Sequence, residues 1–175
     1  MAETPLPDVL TAIHTRRSVR IFSIQSIPDE LLQKGLAAAM AAPSAGNQQP
    51  WHFVLLRDKD LLQKVTLILP NAPMSRQAQA GVLICADLAL EKYPGYWVLD
   101  CAAAVENLLL AAHGLGLGAV WTGVYPNADR MEGFRKLLNL PDSVMPHSFV
   151  PMGWPGSRPK AEDRFKPERI HVNGW

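Results

Sequence analysis

Several features are scarce in this sequence of 175 residues, and each absence excludes a class of protein. Cysteine occurs only as Cys85 and Cys101, each inside an apolar run, so we interpret both as core residues in a reducing cytoplasm rather than as a disulfide. No Cys/His spacing typical of a metal site is present. The formal net charge is +1, so no overall field would attract nucleic acid or an anionic membrane.

An unbroken hydrophobic run long enough for a membrane span is also missing. The most apolar stretch, from Trp97 to Val120, contains Asp100, Glu106, Asn107 and His113. Four polar groups would be costly in hydrocarbon, so we predict a buried helix of a soluble protein. The first ten residues lack the basic start and apolar run of a signal peptide, and we therefore expect a cytoplasmic location.

What is present is an alternation of helical patterns with short apolar runs. The periodicity predicts helices over residues 8–16, from 26–30 to Pro43, over 60–69 and 97–113, and from the capping residue Asn127 onward. Buried strands are predicted over residues 51–56, 81–86, 118–124 and 147–152. We expect one domain over residues 1–175, an α+β fold with the three-layer character of α/β proteins.

The tail, residues 154–175, is rich in proline and charge and cannot form a core alone. It nevertheless carries the apolar side chains of Trp154, Phe165, Ile170 and Trp175. An arm that packs on a partner subunit would explain so many apolar residues at a chain end. This is one indication of a dimer.

A basic cluster, Arg16-Arg17-Ser18-Val19-Arg20, follows the first predicted helix. If the segment is extended, residues 16, 18 and 20 point the same way; if it is helical, residues 16 and 20 share a face. Either arrangement brings two guanidinium groups together, and forked Arg donors match the oxygens of a phosphate dianion. Taken alone, the cluster is also compatible with a solvated basic turn.

A loop of small residues and amides, APSAGNQQPW, spans residues 42–51 between a helix and a buried strand. Small residues allow a flat ligand to approach the backbone, and carboxamides offer both a donor and an acceptor. These are the groups that the polar edge of a flavin ring would need, although an ordinary turn would look the same.

A third motif, GAVWTGVYP over residues 118–126, follows a helix that ends in glycines. A strand that ends in Thr-Gly exposes backbone N–H groups that can donate to a ligand. The alternative is a buried strand followed by a turn.

Together these motifs resemble the nitroreductase (flavin reductase-like) family. RRSVR, APSAGNQQPWHF, NLLLAAHGLGLG and AVWTGVYP occur in the same order as in that family, and the resemblance runs from about Arg16 to His171. It implies an α+β fold with a mixed, mainly antiparallel sheet between helices. It also implies a homodimer that exchanges C-terminal arms and binds FMN at the subunit interface.

The resemblance assigns cofactor contacts to all three motifs. The phosphate and ribityl side would be held by Arg16, Arg17, Ser18 and Arg20. The ring would meet Asn47 at its polar edge, and the other subunit would contribute Pro43, Ser44 and Ala45. The third motif would lie against the ring, with a backbone N–H near N5, through Trp121, Thr122 and Gly123.

The C-terminal arm departs from the family pattern at one position. Relatives often carry a basic pair, Lys/Arg-x-Arg, that reaches the phosphate; here Arg164 matches its second member, while Glu162 stands at the first. A carboxylate would repel a phosphate, so Lys160 or Arg158 would have to compensate, and we favour Lys160. Arg169 is interpreted as a surface charge.

Substrate choice is expected to be set between residues 70 and 97. Met74, Tyr93, Tyr96 and Trp97 could roof the flavin and accept planar molecules such as quinones or nitroaromatics. Ordinary interface packing is an equally good interpretation of these side chains.

The resemblance implies two half-reactions at one site, in which NAD(P)H reduces the flavin and leaves before a small acceptor is reduced. No catalytic acid or base is assigned, because the flavin N5 carries the chemistry. A dinucleotide-binding G-x-G-x-x-G is absent, which fits a donor that merely stacks on the flavin. A flavin-dependent dehydrogenase or dehalogenase, or a non-catalytic FMN-binding protein, remain as alternatives.

Overall fold

The computed structural model describes residues 7–175 and contains five helices and five strands in the order α1, α2, β1, α3, β2, α4, β3, β4, α5, β5. Residues 1–6, which include most of the segment that we expect not to be a signal peptide, lie outside the described residues. The helices are α1 (Val9–Thr15), α2 (Asp29–Met40), α3 (Lys59–Ile68), α4 (Trp97–Gly114) and α5 (Ala128–Leu138). The strands are β1 (Trp51–Leu56), β2 (Ala80–Asp87), β3 (Gly118–Ala119), β4 (Thr122–Gly123) and β5 (Val144–Gly153).

Side-chain caps account for where three of the helices begin. Asp8, Asp58 and Asn127 each accept hydrogen bonds from backbone N–H groups in the first turn of α1, α3 and α5, respectively. At its other end α5 stops at Asn139, which adopts a left-handed conformation with φ 51°. The predicted cap at Asn127 is therefore confirmed, and the other predicted helices agree with the structure to within a few residues.

The sheet has the order β1-β2-β5-β3, with β4 also paired to β5. Every strand pairing in residues 7–175 is antiparallel. In the central strand β2, Val82 and Ile84 pack toward one face, while Leu83 and Cys85 pack toward the other. This strand is therefore buried on both faces, as its continuous apolar sequence predicts.

The predicted strand over residues 118–124 is instead two short strands. Ala119 pairs with Met152 and Thr122 pairs with Phe149, so β3 and β4 keep one common register on β5. In that register the residues between them lie opposite Pro151 and its neighbour. Proline has no N–H to donate, and this interrupts the ladder.

Helices cover both faces of the sheet and divide the core in two. Helices α2 and α4 pack together over one face, and α3 and α5 pack together over the other. None of the helices in residues 7–175 combines the length and the apolar character needed to cross a membrane. The predicted three-layer α+β architecture with a mainly antiparallel sheet is confirmed.

Candidate functional site

The basic motif lies beside the start of the third motif. Residues 16–20 have no helical structure, so the helical alternative for this segment is wrong. Val19 is buried, and its N–H donates to the carbonyl of Ala119 at 3.0 Å. A Cβ placed on Gly118 would lie 2.6 Å from Cγ1 of Val19, so this close approach requires glycine. Two motifs that are a hundred residues apart in sequence thus become neighbours.

The guanidinium groups of this motif have different partners. Arg16 Nε donates to Glu106 Oε1 on α4 at 3.2 Å. Arg17 donates to carbonyl oxygens of the C-terminal arm, from Nε to Lys160 at 3.2 Å and from Nη2 to Glu162 at 3.0 Å. Arg17 therefore connects the end of α1 to the arm, which the sequence did not indicate.

A cavity of about 590 Å³ lies between the end of α1 and the arm. Its walls include Arg16 and Arg17 from the motif and Arg164 from the arm, together with the acidic residues Glu162 and Asp163. The structure thus brings three of the predicted phosphate-binding residues to one cavity. Ser18, Arg20 and Lys160 belong to the described residues but are not among those that line it.

A second cavity, of about 670 Å³, adjoins the first and shares Thr15 with it. Arg158 lines this cavity and donates from Nη2 to the carbonyl of Gly116 at 2.8 Å. His113 Nε2 lies 2.8 Å from Oγ1 of Thr15. Burial lowers the pKa of His113, and the nearby positive charges of Arg158, Arg16 and Arg17 lower it further. Three arginines therefore lie near this imidazole, and Arg158 lies beside the glycine-rich end of α4.

The amide-rich loop adopts an unusual backbone. Gly46, Asn47 and Gln49 have φ angles of 51°, 53° and 48°. The left-handed conformation costs an L-residue about 1–2 kcal/mol, so the two non-glycine residues need support from their surroundings. Part of it is the Ser44 hydroxyl, which accepts a hydrogen bond from the N–H of Gln49 at 3.0 Å.

Further support comes from Asp100, a buried carboxylate on the first turns of α4. Its Oδ1 accepts from the N–H of Ala45 at 2.9 Å, and its Oδ2 accepts from Nε2 of Gln48 at 2.6 Å. The Gln48 side chain is also buried, whereas Asn47 is exposed. Sequence reasoning missed both roles, although a lone acid within an apolar helix was the available signal.

Aromatic side chains from α4 and from the residues that flank β4 lie around the buried His147. The ring of His147 lies 6.1 Å from Trp97 and 5.6 Å from Trp121, centroid to centroid, and Tyr125 lies 4.8 Å from Trp97. His147 is 5% exposed, and burial lowers its pKa to about 4, while a backbone hydrogen bond at Val98 offsets part of the effect. The predicted residues Trp97 and Trp121 thus both contact His147, a residue that the sequence did not single out.

The polar groups of β4 are used within the fold. Thr122 is buried, and its hydroxyl donates to the carbonyl of Phe149 at 2.5 Å. The carbonyl of Gly123 accepts from Nη1 of Arg130 at 2.8 Å. These contacts fix the strand beside which we expect the ring to bind.

The four residues expected to roof the flavin separate into different environments. Tyr93 and Tyr96 are half exposed and their rings contact edge-on at 6.3 Å. Tyr93 also lies against the amide-rich loop, because a Cβ on Gly46 would be 2.2 Å from its ring. Met74 is 6% exposed and packs in the core beneath α3 and α5 instead.

Comparison with known proteins agrees with this arrangement. The sequence profile of the nitroreductase family matches residues 13–89 and 69–154. The chain belongs to the nitroreductase family. A protein of Methanothermobacter thermautotrophicus, provisionally named NADH dehydrogenase/NAD(P)H nitroreductase, is 49% identical to this family member over 96% of this chain and 88% of its own length.

Solved structures of the family share the fold. A crystal structure from Parabacteroides distasonis, with the same provisional name, superimposes with a TM-score of 0.92 at 39% identity, covering 97% of this chain and 99% of that one. A second, provisionally described as a nitroreductase in complex with FMN from Desulfovibrio desulfuricans, gives a TM-score of 0.83 at 28% identity, covering 97% and 98%. The resemblance inferred from the motifs is therefore confirmed for the family and the fold.

Proposed function

We propose that this nitroreductase-family protein is an FMN-dependent oxidoreductase that passes electrons from NAD(P)H to a small planar acceptor. The observation that carries the proposal is the cavity lined by Arg16, Arg17 and Arg164. Three guanidinium groups around one cavity suit a phosphate dianion, because forked donors form charge-assisted hydrogen bonds with its oxygens. Relatives whose names include NAD(P)H and FMN support the choice of donor and cofactor.

The phosphate would be held chiefly by Arg16 and Arg164. Arg17 is already bonded to carbonyls of the arm, and its main task is to keep the arm, and with it Arg164, at this cavity. Ser18 and Arg20 would extend the same edge toward the ribityl chain. Lys160 remains our choice to offset the carboxylate of Glu162.

The ring would be contacted from two sides. The exposed Asn47 offers its amide to the polar edge, with Pro43, Ser44 and Ala45 lining the flavin, and Trp121, Thr122 and Gly123 forming the opposite wall. When bound, FMN supplies the hydride and electron transfer between nicotinamide and acceptor. The protein's own part is to orient the two molecules and to exclude water. His147, with a pKa of about 4, is neutral at physiological pH and adds no charge to this wall.

The acceptor would bind at the aromatic side of the same site. Tyr93 and Tyr96 are half exposed and Trp121 is 38% exposed, while Trp97 is buried and, like Trp121, contacts His147. Flat aromatic surfaces favour planar acceptors such as quinones or nitroaromatics. Donor and acceptor would then use one site in turn, which gives ping-pong kinetics.

A homodimer is part of the proposal. Residues 156–175 are exposed throughout, including the apolar side chains of Phe165, Ile170, Val172 and Trp175. A chain end that exposes so much apolar surface gains from a partner that covers it. A second copy of this chain, on which the arm packs, would complete the site with Pro43, Ser44 and Ala45. We expect neither nucleic acid nor a membrane as a partner, and a cytoplasmic location.

The first experiment is the visible absorption spectrum of the purified protein, followed by identification of any cofactor released by heat. Oxidised-flavin bands with released FMN, bleaching by NAD(P)H without oxygen, and steady turnover with a quinone would support the proposal. Bleaching without turnover would favour the non-catalytic FMN-binding alternative. A colourless protein that also fails to bind added FMN would refute the proposal.

A matched pair of variants tests the phosphate site. A hydrogen bond to a charged group contributes about 1.5–3 kcal/mol, so Arg164→Ala is expected to weaken FMN binding by about ten- to a hundredfold. Arg169→Ala removes the same charge from the same exposed arm and should leave the affinity unchanged. Riboflavin, which lacks the phosphate, should bind both variants and the unchanged protein alike. Equal loss of riboflavin and FMN binding would contradict a phosphate contact at Arg164.

A further inference from the structure

The buried amide of Gln48 connects two segments of the candidate site. Its Nε2 donates to Asp100 Oδ2 at 2.6 Å, and its Oε1 accepts from the backbone N–H groups of Lys92 at 2.8 Å and Tyr93 at 3.2 Å. The hydrogen bond to Asp100 connects the amide-rich loop to α4. The other two belong to the segment 91–97, which leads into the first residue of α4.

The orientation of this amide is fixed by its neighbours. If the Gln48 amide were turned over, its NH₂ group would face two backbone donors and its oxygen would face a carboxylate. Buried donors and acceptors that face their own kind lose the hydrogen bond and also their hydration. The network therefore has one arrangement, in which Asp100 is the acceptor for the Gln48 donor.

Each joined segment has an internal structure of its own. In the 91–97 segment, Glu91 Oε1 accepts from the N–H groups of Gly95 at 2.6 Å and Trp97 at 3.3 Å. In the amide-rich loop, Asn47 and Gln49 adopt left-handed conformations that an unsupported loop would leave. Gln48 is thus the polar connection between two preformed pieces, and the Tyr93 ring on Gly46 is the apolar one.

We infer that Gln48 and Asp100 are positioning residues that set the acceptor specificity of the site. They hold the loop carrying Asn47 at a fixed distance from the segment carrying Tyr93 and Tyr96. The width of the slot between the cofactor edge and the aromatic side chains follows from that distance. This inference rests on the proposed function, since it assumes that the loop borders FMN and that the tyrosines face the acceptor.

The network is tested by exchanging the amide at position 48 and the carboxylate at position 100, because each hydrogen bond needs a donor on one side and an acceptor on the other. In Asp100→Asn the new amide can accept from Ala45, but its NH₂ group then faces the NH₂ group of Gln48. In Gln48→Glu two carboxylates face each other. In the double variant the new amide at position 100 donates to the new carboxylate at position 48. That carboxylate still accepts from Lys92 and Tyr93, so every donor again has an acceptor and the net charge is unchanged.

The first readout requires neither FMN nor turnover. In the apoprotein, amide hydrogen exchange at Ala45, Lys92 and Tyr93 should be at least about tenfold faster in each single variant, because two donors or two carboxylates then face each other at the contact between positions 48 and 100 and local opening becomes easier by about 1.4 kcal/mol. The double variant should return to within about threefold of the unchanged protein. The surface pair Asp142→Asn with Gln63→Glu makes the same chemical changes at exposed positions and should alter none of these rates.

The second readout compares two acceptors with FMN in excess. We expect the single variants to raise KM for a planar quinone by at least about tenfold. Ferricyanide takes single electrons without entering a slot, and its kinetics should change less than about threefold. The double variant should recover the quinone KM.

Every outcome of these two measurements either supports the inference or overturns it. The inference is overturned if the single variants leave the exchange rates and the quinone KM unchanged. It is also overturned if the double variant restores neither quantity, or if the double variant fails to fold although both single variants fold. If the singles do not fold, a folded double variant with the original KM supports it, and a double variant that also fails to fold overturns it. If the wild-type protein neither binds FMN nor turns over an acceptor, the proposed function is refuted instead. The exchange rates still report on the network in that case.

Discussion

The pH dependence of stability should report directly on the buried His147. Its ring is 5% exposed between Trp97 and Trp121, with Nδ1 3.2 Å from the hydroxyl of Ser148. Burial lowers the pKa of this imidazole from 6.5 to about 4, because the aromatic surroundings solvate the cation poorly. The perturbation that tests this is a fall in pH from 8 to 4.5.

The direction in which pH changes stability follows from the number of protons that the folded and the unfolded chain bind. Between about pH 6.5 and pH 4 the unfolded chain carries a proton on this imidazole and the folded chain does not, so acid favours unfolding. Stability attributable to His147 is complete above pH 6.5 and is lost as the pH falls to about 4. A pKa of about 4 against 6.5 corresponds to about 3 kcal/mol of unfolding free energy over that range.

Other groups also respond to acid and must be separated from this effect. A hydrogen bond from Lys34 lowers the pKa of Glu30, and one from the backbone N–H of Ala89 lowers that of Asp87, so protonating either carboxyl destabilises the fold. A His147→Gln variant retains those contributions and removes only the imidazole. The difference between the two proteins therefore isolates His147.

The assay is urea unfolding of the apoprotein from pH 4.5 to 8 at one fixed protein concentration. The stability advantage of the original protein over His147→Gln should shrink by about 2–3 kcal/mol between pH 7 and pH 4.5. A His52→Gln variant, altered at an exposed position of β1, should show no such change. A constant difference across the range, or an NMR titration that places the pKa of His147 near 6.5, would refute the reasoning.

Three further perturbations test other parts of the structure. Gly81→Ala would place a methyl group 2.2 Å from the ring of Phe149, so urea unfolding should show a loss of about 1–3 kcal/mol that Phe149→Leu partly restores; no loss would contradict the packing of this strand. Gly46→Ala combines a φ of 51° with a clash against Tyr93. It should lower the free energy of unfolding by about 1 kcal/mol and raise the quinone KM. The effect on KM should be smaller in a Tyr93→Ala background. Arg17→Ala removes the hydrogen bonds to the arm; limited proteolysis should then cut residues 156–165 faster, and unchanged cleavage would argue against Arg17 as the anchor of the arm.

Local sequence signals account for most of the fold. Strand β1 has the bounds that the apolar run predicts, and α4 and α5 begin at the predicted residues because helix periodicity and capping act over a few positions. The strand over residues 118–124 was predicted as one piece. Its interruption depends on Pro151 of another strand, which lies opposite it only once the sheet has formed.

The candidate site was harder to predict, because its connections join residues far apart in sequence. The sequence marks RRSVR as basic but cannot show that Arg16 pairs with Glu106 of α4 while Arg17 donates to carbonyl oxygens of the arm. The network of Gln48 and Asp100 has no periodicity and leaves no local pattern. His147 lies in a strand where a polar residue would ordinarily indicate an exposed face.

The burial of both cysteines gives this protein a practical advantage for spectroscopy. Burial raises the pKa of Cys85 to about 12 and that of Cys101 also far above its ordinary range. At pH 7 a thiol with a pKa near 12 is ionised in only about one molecule in 10⁵, and the thiolate is the species that maleimides and iodoacetamides attack. A cysteine introduced at the exposed Ser157 would therefore take up a fluorophore or spin label alone, without removal of the native thiols. If the chain forms the proposed homodimer, the distance between the labels of its two copies would report where the arms lie in solution.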